Sequence, residues 1–198
     1  FVKLAETLGS FVGQVTDGPI QEVEILYDGH VAEMNTKALS SAVLAGLLRP
    51  QVSDVNMVSA PIMASERGIK LTEMTRDKSG VFEGYIRLDV VTKDQRRSIA
   101  GTVFSDGKPR FIQIKGINME AEAGAHMLYT TNPDSPGIIG DLGTIFGAAG
   151  VNIANFYLGR DEPGGNAIAL LHLDATVPTD VLDKLKDHPN IEQAKPLE

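Results

Sequence analysis

His126-Met127-Leu128-Tyr129-Thr130-Thr131, then Asn132-Pro133-Asp134-Ser135-Pro136-Gly137, then Ile138-Ile139-Gly140-Asp141-Leu142: within this run the hydrophobic pattern changes from strand to helix. Aromatic and β-branched residues predict a strand over 126–131, and the prolines and glycine of 132–137 are turn chemistry. Ile138, Leu142, Ile145 and Ala149 then recur at helical spacing, and the helix is expected to stop at Gly150. Working outward, 151–159 and 167–173 read as strands joined by Asp161-Glu162-Pro163-Gly164-Gly165. Pro178 opens a helix carrying Val181, Leu182 and Leu185, and 191–197 closes as a short strand. The order βαββαβ in about 75 residues predicts a two-layer ferredoxin-like sandwich.

Upstream, the elements run in a different order. Leu4, Leu8, Phe11, Val12 and Val15 mark a helix that Asp17-Gly18-Pro19 ends. Val23, Ile25 and Tyr27 alternate with Glu22, Glu24 and Asp28, and Asp28-Gly29 predicts a hairpin turn into His30-Val31-Ala32. Thr36 is expected to cap a helix carrying Leu39, Val43 and Leu47, which must stop before Pro50. A second helix is expected after Asp54, through Val55, Val58 and Ile62, with Pro61 inside it. From Ile69 to Glu120 the period is two, so 84–92, 98–104 and 110–115 predict an antiparallel meander. Helices followed by strands imply an α+β layer. The fold class expected is therefore α+β: a domain over 1–123 with an antiparallel sheet, and a βαββαβ domain over 124–198.

The 198 residues carry 18 basic and 26 acidic side chains and no cysteine. Cysteine-ligated zinc, iron–sulfur clusters, disulfides and thiol nucleophiles are thereby excluded. The acidic balance argues against nucleic acid, whose phosphates need clustered Lys and Arg. No apolar stretch approaches the ~20 residues that span a bilayer. The expectation is a cytoplasmic protein with a small molecule or protein as partner, and neither nucleic acid nor membrane. The chain opens on Phe1 and runs at once into an uncapped helix, the pattern expected of a piece of a longer chain.

No catalytic set stands out. His30, His126, His172 and His188 lack partners at helical metal-ligand spacing, and Gly137 to Gly143 does not form G-x-G-x-x-G. Gly140, Gly143, Gly147 and Gly150 are expected to let their helix pack closely on the sheet. The first candidate site is the loop Asn132–Gly137. A helix N-terminus favours a carboxylate, Asp134 accepts from an ammonium, and together they suit a free amino acid. Asn152, expected near the same end of the sheet, offers a donor and an acceptor. The same residues also admit a structural reading, in which Asp134 or Ser135 caps the helix and Asn152 ties down a turn. A second candidate is basic: Lys93, Arg96 and Arg97 at one hairpin end and Lys108 and Arg110 at the next, converging on an anion. Solvated hairpin ends are the alternative.

Several segments resemble a known family. Leu8-Gly9-Ser10 with Gln14, Val23-Glu24 with Tyr27, the run Ala42 to Leu48, Val55 to Pro61 and Glu66-Arg67-Gly68-Ile69 resemble the intervening domain of long-form D-3-phosphoglycerate dehydrogenases. Asp134-Ser135-Pro136-Gly137 and Gly150-Val151-Asn152-Ile153-Ala154 resemble the ACT domain of that family. The resemblance implies the regulatory half of an enzyme of L-serine biosynthesis. Its parent oxidises 3-phosphoglycerate with NAD in a Rossmann-type core, so this chain is expected to hold no catalytic residue and no cofactor. In the family, L-serine binds where ACT domains pair and inhibits, which also implies self-association through these domains. By position, Asn132, Asp134 and Asn152 match the side chains that hold serine, with Ser135, Gly137, Ile138 and Ile153 completing the expected effector set. Some relatives also bind substrate or phosphate through three basic side chains. Here Arg110 fills the first such position, but Glu122 and His172 stand at the others, and a carboxylate facing phosphate repels it. The regulatory half of an iron–sulfur L-serine dehydratase and a ligand-free oligomerisation module are the alternatives.

Overall fold

The computed structural model describes residues 1–77 and 80–198. It divides into two compact units, Phe1–Gly116 and Ile117–Glu198.

The first unit begins with helix α1 (Val2–Val15), strand β1 (Ile20–Gly29), a 3₁₀ turn (His30–Glu33) and helices α2 (Thr36–Leu48) and α3 (Ala60–Glu66). Strands β2 (Lys70–Arg76), β3 (Gly84–Thr92), β4 (Arg96–Val103) and β5 (Pro109–Ile114) follow. These strands lie in the order β2-β1-β3-β4-β5, within a six-stranded sheet. Val23, Ile25 and Tyr27 of β1, with Ile86, Leu88 and Val90 of β3, face the buried side with Leu4, Leu8, Val43 and Leu47 of the helices. Helices α1 and α2 pack almost backbone to backbone. A Cβ added at Gly9 would overlap the carbonyl oxygen of Val43, and one at Gly46 that of Glu6.

Four local expectations are corrected. The sheet is mixed, because β2 pairs parallel with β1 while β3, β4 and β5 form the expected antiparallel meander. Between β1 and β2 the chain passes through two helices, a crossover long enough to bring the strand back in the same direction. Asp28-Gly29 makes no hairpin. Gly29 takes a left-handed φ of 70° and leads into the 3₁₀ turn, since both edges of β1 are already paired. Helix α3 starts only at Ala60, so Pro61 sits in its first turn, where a missing N–H leaves nothing unpaired. Asn35, one residue ahead of Thr36, caps α2 by accepting from the Ala38 N–H at 3.3 Å.

The second unit holds β6 (Ile117–Glu122), β7 (Met127–Pro133), α4 (Ile138–Ala148), β8 (Ile153–Arg160), β9 (Asn166–Leu173), α5 (Thr179–Lys186) and β10 (Gln193–Leu197). From β7 onward this is the βαββαβ order, with an antiparallel sheet β10-β7-β9-β8. Leu142 and Phe146 of α4, Val181 and Leu185 of α5, and Leu128 and Leu171 of the sheet form its core. The opposite face of the sheet is covered by β6. Gly159 of β8 lacks a Cβ where one would strike Ile117 and the Asn118 carbonyl, and the His172 ring nitrogen Nε2 lies 2.5 Å from the Glu122 carbonyl oxygen. Residues 117–122 fall within the second compact unit.

The glycines of α4 do not pack on the sheet. Nothing lies within 4 Å of a Cβ built at Gly140, Gly143, Gly147 or Gly150. Ile138, Leu142 and Phe146 turn inward with Ile145 packed beside them, so the glycines occupy the outer face.

Candidate functional site

Strand register decides which of the expected effector residues meet. Asn132 pairs with Ala167, and so does Arg160, so the C-terminal ends of β7 and β8 lie at one end of the sheet. Met127 and Asn155 both pair with His172, which puts the N-terminal ends of both strands at the other. Asn152, just before β8, therefore lies about 25 Å from the loop 132–137 within one chain. The expectation that it shares their end is corrected. A right-handed β–helix–β crossover returns the chain to where the first strand began.

At the first end, Asn132 is 3% exposed. Its Nδ2 donates to the Pro133 carbonyl at 2.8 Å, while its Oδ1 is buried without a partner. The Ser135 hydroxyl oxygen is likewise buried and unpartnered. Asp134 neither caps α4 nor faces water alone. Its Oδ2 accepts from the Gly164 backbone N–H at 3.1 Å and from Arg160 Nη1 at 2.8 Å. The Gly164 N–H first, and then Arg160, hold its carboxyl below the usual range. Gly137, at a φ of 103°, stands at the N-cap of α4 with no side-chain cap, leaving the first N–H groups of the helix unsatisfied by side chains. Ile138 is buried beneath. At the second end, Asn152 Nδ2 donates to Asp174 Oδ2 at 2.8 Å, and Ile153 pairs with Leu173.

Arg160 and Gly164 belong to this site and are absent from the expected set. Register is the signal that points to them: in a βαββαβ sheet the β8–β9 turn must lie beside the end of β7. Asp161 builds that turn, accepting from the N–H groups of Glu162 and Asn166, both at 2.7 Å.

The basic cluster does not converge. Lys93, Arg96 and Arg97 lie at the β3–β4 end and Lys108 and Arg110 at the β4–β5 end, with the whole of β4, about 25 Å, between them. Arg96 and Arg97 are successive strand residues and take opposite faces. Arg96 is bound to Glu24 and to Asp89 (3.2 Å), and Arg110 to Asp106 (2.9 Å) while its guanidinium covers the Phe104 ring. Among the described residues no group of three or more His, Asp or Glu is arranged to hold a metal ion, and no helix is long and apolar enough to cross a membrane.

A helix-faced antiparallel sheet ending in an acidic loop and an open helix N-terminus defines the second unit as an ACT domain, a class that commonly binds amino acids, and residues 126–190 match that family. Residues 1–115 match the family described as the D-3-phosphoglycerate dehydrogenase intervening domain. The chain belongs to the D-3-phosphoglycerate dehydrogenase family, of which it holds the intervening and ACT domains. It is similar to the D-3-phosphoglycerate dehydrogenases of Methanocaldococcus jannaschii (35% identity over 192 residues, 96% of this chain and 36% of that protein) and Bacillus subtilis (32% over 194 residues, 98% and 37%). The Synechocystis enzyme is 36% identical over 188 residues, 93% of this chain and 34% of that protein. The chain thus spans about a third of the length of these relatives.

Proposed function

We propose that this chain is the effector-sensing part of a D-3-phosphoglycerate dehydrogenase, binding L-serine where two ACT domains pair and inhibiting the parent enzyme. The observation that carries the reading is the pair of buried, unpartnered oxygens, Asn132 Oδ1 and Ser135 Oγ, beside the Asp134 carboxylate and the open N-terminus of α4. Buried polar atoms without partners are costly, and a small polar ligand satisfies them. The serine carboxylate lies at the helix N-terminus and the ammonium at Asp134.

The separation of Asn152 from this loop supports a shared site. Strand β8 is outermost in its sheet. Two copies joined antiparallel along β8 about a two-fold axis set the Arg160 end of one against the Asn152 end of the other, so that each site is completed by Asn152 of a second copy. A ligand bridging two copies favours the arrangement that makes the bridge, with a coupling typically of ~1–3 kcal/mol. The residues do not fit a dinucleotide: no two glycines stand two apart anywhere in the sequence, so the G-x-G-x-x-G turn is missing. Oxidation of 3-phosphoglycerate with NAD is assigned to the remaining length seen in the relatives, and a cytoplasmic location goes with it.

Calorimetric titration with L-serine tests the reading. A charged hydrogen bond contributes ~1.5–3 kcal/mol, so Asn152→Ala is expected to weaken binding roughly 10- to 150-fold with the fold intact. Unchanged affinity in that variant, or a strictly monomeric mass by light scattering at high concentration, sinks it.

A further inference from the structure

Arg160 ends β8, and its backbone is fixed by pairing with Ala167, but its side chain is 54% exposed and held at its tip by Asp134 Oδ2 at 2.8 Å. Asp134 is the more enclosed partner, at 21%. The carboxylate that an effector ammonium must reach is thus already neutralised from within the chain.

We propose that the Arg160–Asp134 pair is an exchangeable internal ligand that makes this site accept zwitterions and refuse simple amines, an inference that rests on the effector reading above. An amine alone breaks one ion pair and forms one. It leaves the displaced guanidinium without its Asp134 partner, so the exchange brings no net gain in ion pairs. An α-amino acid breaks the same pair and forms two, its ammonium on Asp134 and its carboxylate shared between the N-terminus of α4 and the freed Arg160. The planar guanidinium receives a carboxylate through two parallel hydrogen bonds. Gly164 fits this role, because its N–H stays on Asp134 Oδ2 at 3.1 Å and keeps the carboxylate in place while its partner changes. The buried Asn132 Oδ1 is a second, fixed acceptor at the same end of the sheet, and it gives the ammonium a further contact that does not depend on Arg160. Arg160 is therefore a specificity-determining residue. Being exposed, the ion pair contributes little to folding, and the exchange is easy to start.

The test is calorimetry on the 198-residue chain with L-serine and with ethanolamine, which keeps the amine and hydroxyl but lacks the carboxylate. Wild type is expected to bind L-serine and show no heat with ethanolamine. In Arg160→Gln, serine weakens and ethanolamine becomes detectable, so the preference for serine falls by about tenfold or more. Arg160→Lys, which keeps the charge, retains most of the preference. Melting curves of both variants are expected to overlay wild type. A merely structural role for Arg160 weakens both ligands alike, so an unchanged preference in Arg160→Gln overturns this proposal and leaves the effector reading standing. Absence of serine binding by wild type removes the effector reading and this proposal together.

Discussion

Residues 1–116 carry 14 basic and 14 acidic side chains, whereas 117–198 carry 4 and 12, so the whole net charge of −8 belongs to the second unit. In the first, charges answer one another across the outer face of the sheet. Arg96 reaches Glu24 and Asp89, Arg87 meets Asp89 at 2.8 Å, Lys70 meets Glu22 at 2.6 Å, and Arg76 meets Asp28. In the second, buried polar atoms stand without partners along β7 and its flanks: His126 Nδ1, Thr130 Oγ1, Asn132 Oδ1 and Ser135 Oγ. The first unit holds such an atom too, Thr16 Oγ1, but its charges balance pair by pair, which suits a rigid support. The other keeps hydrogen-bonding capacity in reserve, which is what a sensor requires.

Glycines make the same contrast, and they provide the largest predicted effect. In Gly46→Ala the new methyl meets the Glu6 carbonyl and, at 2.7 Å, the Ser10 nitrogen. Backbone cannot give way as a side chain does, so the variant is expected to lose about 3 kcal/mol or more, read as a fall in melting temperature of the first unit. A smaller effect follows from Tyr27, whose hydroxyl lies 2.6 Å from Ser40 Oγ, which in turn donates to Glu73. Burial pushes its pKa up to about 12. Because the folded value exceeds the unfolded ~10, its contribution is complete below pH ~10 and is lost as pH rises to about 12. Tyr27→Phe is expected to cost about 1 kcal/mol near neutrality and to remove that alkaline loss, checked by denaturant melts at both pH values. Gly143→Ala, on the open outer face of α4, is expected to stabilise by about 0.5–1 kcal/mol. A loss there instead would blur the contrast by showing that this helix face meets another surface.

The smallest effect concerns Asp134. Its folded pKa lies below the unfolded ~3.9, so its stabilising contribution is present above that value and disappears as pH falls through the folded one. A carboxyl titration by NMR should place its midpoint below ~3.9 in wild type. In Arg160→Gln the midpoint should rise only part of the way, since the Gly164 N–H remains.

Much of this was readable in advance, for definable reasons. The strands β3 to β5 and the βαββαβ unit show in alternation and helical stripes because one face of each element is buried. Strand β2 gives no such signal, being exposed along nearly its whole length on both faces, and its parallel direction follows from the crossover before it. The loop Asn132–Gly137 was visible as a turn running into a helix. Arg160 and Gly164 were not, for they lie 26 and 30 residues from Asp134 and come to it only through strand register. The α4 glycines misled because spacing alone does not say which side of a helix is turned inward.

Gly159 has a consequence for how this domain can be cut from its context. By admitting the β6 backbone against β8, it lets residues 117–122 shield that face of the sheet. The second compact unit accordingly runs over 117–198, wider than the 126–190 that the family match covers. A fragment begun at 126 would bare Tyr157, Gly159 and His172 to water, and in amide exchange β8 and β9 of that fragment would lose protection that the longer one keeps.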